Sequence, residues 1–144
     1  MRVWVLHGPN LGALGLREPA VYGTVTLAEI DRRLQERGRE IGLEVRCAQY
    51  DGEGELVGAI HRAGREAGGL VINPGAYAHY SLAIAEAIRA IPIPCVEVHL
   101  SNIWARESFR HTLVTAGACR GVIAGLGVHG YLLALEAMAS LART

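Results

Sequence analysis

Short apolar runs alternate along this chain with longer stretches whose apolar positions recur every three or four residues. The runs at 3–6, 43–49, 70–73, 95–100 and 121–124 read as strands, and the stretches at 26–41, 55–67, 81–91 and 128–142 as helices. That order is five β/α units, and right-handed crossovers then force a parallel sheet with helices on both faces. The expected architecture is an α/β three-layer sandwich around a five-stranded parallel sheet, with residues 1–144 forming a single domain.

The helices differ in how much of their surface asks for cover. The first opens with the capping box Thr26-Leu27-Ala28-Glu29 and sets Leu27, Ile30, Leu34 and Ile41 against Asp31, Arg32, Arg33, Glu36, Arg37 and Glu40. It reads as an ordinary surface helix. Stretch 81–91 carries only Glu86 and Arg89 as charges, and 130–142 only Glu136, so both are apolar nearly all round and call for burial through self-association.

In an open parallel sheet the loops after the strands share one edge, and ligands bind there. This chain brings His7-Gly8-Pro9-Asn10, Asp51-Gly52-Glu53-Gly54, Asn73-Pro74-Gly75-Ala76 and His99-Leu100-Ser101-Asn102 to that edge.

Composition narrows the chemistry. With 144 residues, 51% of them hydrophobic, the chain fits one core. Fourteen basic residues cancel fourteen acidic ones, which leaves no net field to hold nucleic acid or an anionic membrane. The apolar runs fall short of a membrane span and the start lacks a signal-peptide layout, so the expected compartment is the cytoplasm. Every basic residue is an arginine; without lysine there is no Schiff base and no P-loop. Cys47, Cys95 and Cys119 lack metal or redox spacing and read as buried free thiols.

Gly125-Leu126-Gly127-Val128-His129-Gly130 matches a dinucleotide fingerprint, but the chain ends before the second strand and acidic residue that such a site needs, so these glycines read as a tight turn. His61 and His111 sit among arginines and read as solvated, and His129 is ambiguous at a helix start. His7, His79 and His99 fall at the ligand edge without metal-ligand spacing, and His99, ending a central strand, is the best placed for chemistry. Arg106 and Arg110 stand at i and i+4, on one face of a helical turn, and suit an anionic or polyhydroxylated ligand. Residues 11–25 have no period of their own and read as a lid carrying Arg17 and Tyr22; a tyrosine works as a base near neutrality only where a cation favours its phenolate.

Six blocks in order, His7-Gly8-Pro9-Asn10-Leu11, residues 14–23 around Arg17 and Tyr22, residues 71–79 around Asn73 and His79, residues 96–102 around His99, residues 106–110, and residues 125–131, together resemble type II 3-dehydroquinate dehydratase. The resemblance runs end to end. It implies a flavodoxin-like fold, a homo-oligomer that is a dodecamer built from trimers, and cofactor-free, metal-free anti elimination of water from 3-dehydroquinate to 3-dehydroshikimate through an enolate, in the shikimate pathway. By the same resemblance Tyr22 is the base, Arg17 favours its phenolate, Asn10 with a bound water steadies the enolate, and His99 is the acid, with Glu97 at i−2 orienting it. Asn73, His79, Arg110, Leu100 and Ser101 hold substrate, Arg106 acts from the lid, and Glu86, where the family usually has aspartate, reaches a neighbouring subunit's site. Two alternatives remain open: a homologue acting on another polyhydroxy carboxylate, and a non-catalytic sensor of quinate-like acids.

Overall fold

The computed structural model describes residues 1–16 and 18–142. Five parallel strands, β1 (Arg2–His7), β2 (Glu44–Gln49), β3 (Gly69–Asn73), β4 (Cys95–His99) and β5 (Gly121–Ala124), lie in the order β2-β1-β3-β4-β5. A short helix α1 (Pro19–Tyr22) precedes four longer ones, α2 (Leu27–Glu40), α3 (Glu53–Glu66), α4 (Leu82–Ala90) and α5 (Val128–Ala142).

The two faces of the sheet follow from the two-residue period of its strands. Val3, Val5, Val71, Val96 and Val98 point to one face and pack with Ile30 and Leu34 of α2 and with Ala134, Leu135 and Met138 of α5. Trp4, Leu6, Leu70, Ile72 and Cys95 point to the other, against Leu56 and Ile60 of α3 and Ile84 and Ile88 of α4. The Thr26 cap is present, its Oγ1 accepting the Glu29 N–H at 3.2 Å, and Ser81 caps α4 in the same way.

Three expectations change. β4 and β5 are joined by three short 3-10 turns, Ile103–Ala105, Ser108–His111 and Ala116–Ala118, with no α-helix between them. Arg106 and Arg110 therefore do not share a helical turn: Arg106 is extended, with φ −113°, and only Arg110 is in a 3-10 turn. Segment 11–25 is more ordered than its lack of period implied, since a 3-10 turn at Leu11–Ala13 and the Pro-initiated α1 occupy it. All three cysteines are free, but only Cys95 is fully buried, Cys47 and Cys119 being partly exposed; Cys95 and Cys119 lie 3.7 Å apart, sulfur to sulfur. The glycine-rich segment after β5 serves as a turn: Gly125 and Gly127 have φ of +88° and +60°, and their N–H groups donate to the carbonyls of His99 and Leu100. Among the described residues no helix is long and apolar enough to cross a membrane.

The ligand edge depends on two loops meeting closely. Gly8 N–H donates to the Asn73 carbonyl at 2.8 Å, and a Cβ on Gly8 would stand 2.5 Å from the carbonyl oxygen of Pro74. The opposing atoms are backbone and cannot swing away. Gly8→Ala is accordingly expected to lower stability by about 1–3 kcal/mol, as overpacking does; urea unfolding monitored by circular dichroism would measure it, and an unchanged midpoint would contradict the close approach.

Candidate functional site

The carboxyl ends of β1, β3 and β4 open into a cleft. Asn10, Tyr22, Asn73, His79, His99, Leu100, Ser101, Arg106 and Arg110 all line it, so nine of the expected site residues come together. Arg17 lies outside the described residues. Glu86 is exposed on α4 and does not line this cleft. His7 is corrected: it is fully buried beneath the edge, bonded to Tyr131 and Asp31 rather than facing a ligand.

Strand period explains the central pair. Glu97 and His99 are two apart on β4, so both side chains leave the same face, and His99 Nε2 lies 2.8 Å from Glu97 Oε2. A carboxylate only accepts, so His99 Nε2–H is the donor and Nδ1 is left for the cleft. The other oxygen, Oε1, accepts from the Thr115 hydroxyl. Glu97 and Thr115 are both fully buried, and this pairing satisfies the carboxylate without water.

Tyr22 is set at the end of α1, where the Arg106 guanidinium donates to its hydroxyl at 2.7 Å and its carbon lies 5.1 Å from the ring centroid. Arg106 also donates to Ser101 Oγ at 3.2 Å, tying the end of α1 to the loop after β4. Among the described residues, the cation on the phenol is Arg106, which was expected to act from the lid side.

His79 donates Nδ1–H to the Thr112 carbonyl at 2.9 Å, leaving Nε2 as an acceptor, and its ring stacks on His99 with centroids 6.2 Å apart. Burial holds its pKa below the ordinary 6.5, with His99 and Arg110 pushing the same way and the Thr112 carbonyl and Glu97 opposing. Asn10 adopts a left-handed φ of 67°, and its N–H donates to Asp51 Oδ1 at 3.0 Å. Gln49 binds that carboxylate at 2.9 Å and the Gly8 carbonyl at 3.0 Å, and the bonds from Asn10 and Gln49 hold the Asp51 pKa below its usual range.

Four supporting groups escaped the sequence reading: Thr115, Thr112, Gln49 and the holding role of Asp51. Thr112 acts through a carbonyl that any residue provides, and Thr115 lies in a stretch without period. Asp51 was in view as an edge residue, and its acceptor role depends on a turn in Asn10 that no local pattern announces.

Thr115→Val keeps the shape and removes the donor to a buried carboxylate, so a stability loss of about 1.5–3 kcal/mol is expected in chemical denaturation. An unchanged midpoint would mean that Glu97 Oε1 finds another donor. For His79, the unfolded chain takes up the proton first as pH falls, because the folded pKa lies below 6.5. The stability from neutral His79 is complete above that value and is lost as pH falls through the folded pKa. His79→Gln should therefore flatten the acid side of the stability profile, measured as melting temperature from neutral to mildly acidic pH; an unchanged slope would contradict this.

The family model described as "Dehydroquinase class II" matches residues 1–139. A 3-dehydroquinate dehydratase of Pelotomaculum thermopropionicum is 56% identical over 144 residues, covering 100% of both chains. One from Salinispora tropica is 53% identical over 143 residues, covering 99% of this chain and 100% of its own. The crystal structure of type II dehydroquinase from Propionibacterium acnes superposes with a TM-score of 0.94 at 50% identity, covering 96% of each chain. A match over nearly the whole chain in sequence and in fold, with a cleft at the same strand ends that the motifs mark, means that this chain belongs to the class II dehydroquinase family.

Proposed function

We propose that this chain is a 3-dehydroquinate dehydratase of the type II class, a hydro-lyase that converts 3-dehydroquinate to 3-dehydroshikimate by anti elimination of water in the shikimate pathway. Relatives of that name at 56% and 53% identity support the activity. The observation that carries the mechanism is the presence, in one cleft, of a phenol held by a guanidinium and an imidazole backed by a buried carboxylate.

Tyr22 removes the proton next to the ketone, and the bond pair moves toward the carbonyl oxygen to form an enolate. Arg106 supports negative charge on the Tyr22 oxygen, and Arg17 adds to it on the resemblance alone. Asn10, through a water molecule, steadies the enolate oxygen. As the enolate collapses, the carbon–hydroxyl bond breaks and His99 Nδ1–H gives its proton to the departing oxygen, which leaves as water; the Glu97 carboxylate steadies the imidazolium before that transfer. Substrate is held by Arg110 at the carboxylate, by His79 Nε2 accepting from a hydroxyl, and by Asn73, Ser101 and the Leu100 backbone. Both proton transfers use side chains of the protein, and the reading calls for no cofactor or metal.

The same reading makes the chain a homo-oligomer, a dodecamer built from trimers, in which exposed Glu86 reaches a neighbour's site. Exposed Tyr80, Leu82, Trp104 and Phe109, 54% or more accessible in the isolated chain, support self-association.

The product is a conjugated enone and the substrate is not, so ultraviolet absorbance after adding protein to 3-dehydroquinate tests the proposal, with chelator and borohydride controls. A rise that survives both is expected, and no rise from a folded oligomer would overturn the activity. Tyr22→Phe should cut kcat by about 100-fold or more while ligand affinity changes little, the range for a lost general base. Turnover near that of the parent protein would remove Tyr22 from the base role.

A further inference from the structure

His7 and Asn73 occupy paired positions of adjacent strands, so their side chains leave the same face of the sheet beneath the cleft floor. Between α2 and α5 that face receives Asp31 and Tyr131. Tyr131 and His7 are fully buried and Asn73 is 4% exposed, so their polar atoms must find partners within the protein. Tyr131 Oη lies 2.9 Å from His7 Nδ1, and His7 Nε2 lies 2.7 Å from Asp31 Oδ1. The Asn73 amide acts on the Tyr131 oxygen as a donor, drawing the phenol's pKa down against burial, and Asn73 Oδ1 accepts the Gly75 N–H at 3.1 Å.

The protons in this chain have one consistent arrangement. The Asp31 carboxylate only accepts, so His7 donates Nε2–H to it and presents a bare Nδ1. Tyr131 must then donate its O–H to Nδ1, which makes the phenol oxygen an acceptor for Asn73 Nδ2–H. Burial pushes the Tyr131 pKa up, so the O–H stays in place as donor. With Oδ1 on Gly75 N–H and one Nδ2–H on Tyr131, the amide cannot flip, and its remaining N–H is the group left for the cleft that Asn73 lines. The Cys47 thiol stands beside Asp31 at the outer end, and the carboxylate raises its pKa together with burial. The ligating atoms of His7, Asp31 and Cys47 lie within 4.8 Å of one another, yet the 2.7 Å His7–Asp31 contact has hydrogen-bond length and is shorter than two ligands of one cation span.

We infer that Asp31, His7 and Tyr131 are positioning residues for ligand binding: through this buried chain they fix the Asn73 amide so that it presents a donor, and not an acceptor, to an oxygen of the bound substrate. The inference rests on the proposed reading of Asn73 as substrate-binding. It extends the site by three side chains, to a partly exposed carboxylate on α2 with 28% side-chain accessibility.

The test is steady-state kinetics on 3-dehydroquinate with Tyr131→Phe, Asn73→Ala and the double variant, alongside melting temperatures. Tyr131→Phe keeps the ring and frees the amide to rotate, so KM should rise about 3- to 10-fold while kcat stays within about twofold, the size of one oriented hydrogen bond. The double variant should be no worse than Asn73→Ala alone, since both act through one amide. A KM unchanged in Tyr131→Phe but raised in Asn73→Ala would overturn the inference and leave Asn73 as a substrate group; effects that multiply would overturn it too. An unchanged KM in Asn73→Ala would remove both the inference and the reading beneath it. Should Tyr131→Phe fold poorly, Asp31→Ala tests the outer end: it should raise KM, and Asp31→Asn, whose amide oxygen can take the same Nε2–H, should restore it. Equal effects of the two substitutions would contradict the chain.

Discussion

A carboxylate sealed from water must place both its oxygens on protein donors, and Glu97 does so in the middle of β4. That one requirement fixes much of the ligand edge. It sets the tautomer of His99, turns Nδ1 to the cleft, and ties the irregular connection after β4 to the strand through Thr115. Replacing either donor leaves a buried oxygen unpaired, a penalty large enough to hold the group together. The period of β4 makes this affordable, because Val96 and Val98 remain available to the apolar face while Glu97 and His99 turn away from it.

The second constraint is steric. The loops after β1 and β3 touch through Gly8 and Pro74, and Gly75, with φ of +61°, brings a would-be Cβ to 3.2 Å from Pro9. Such closeness holds Asn10 and Asn73 on one cleft wall. Asn10 itself sits in a left-handed conformation that asparagine tolerates better than most residues, with Asp51 accepting its N–H. Arg106 joins Tyr22 to Ser101, so a residue of an irregular loop organises two others.

The strands and the four longer helices were legible because each carries a strong pattern: the unbroken apolar run of β1 and the stripe of Ile30 and Leu34 leave few other solutions. The edge residues were legible because a parallel sheet sends its loops to one side, whatever their sequence. The connection after β4 was not, since 3-10 turns of three or four residues have no repeat long enough to register, and the spacing of Arg106 and Arg110 imitated a helix. Nor was the place of His7. At a strand end its side chain can point into the cleft or under it, and only the pairing with Asn73 and the arrival of Tyr131 from α5 decide for the latter.

The central claim is a division of labour, with Tyr22 taking the proton beside the ketone and His99 releasing the hydroxyl in a later step. Deuterium incorporation into unreacted 3-dehydroquinate in heavy water, followed by mass spectrometry with His99→Ala and Tyr22→Phe proteins, tests it most directly. The account predicts that the His99 variant still exchanges the proton next to the ketone while dehydration is nearly lost, and that the Tyr22 variant does neither. Exchange that persists without Tyr22, or disappears together with His99, would contradict it.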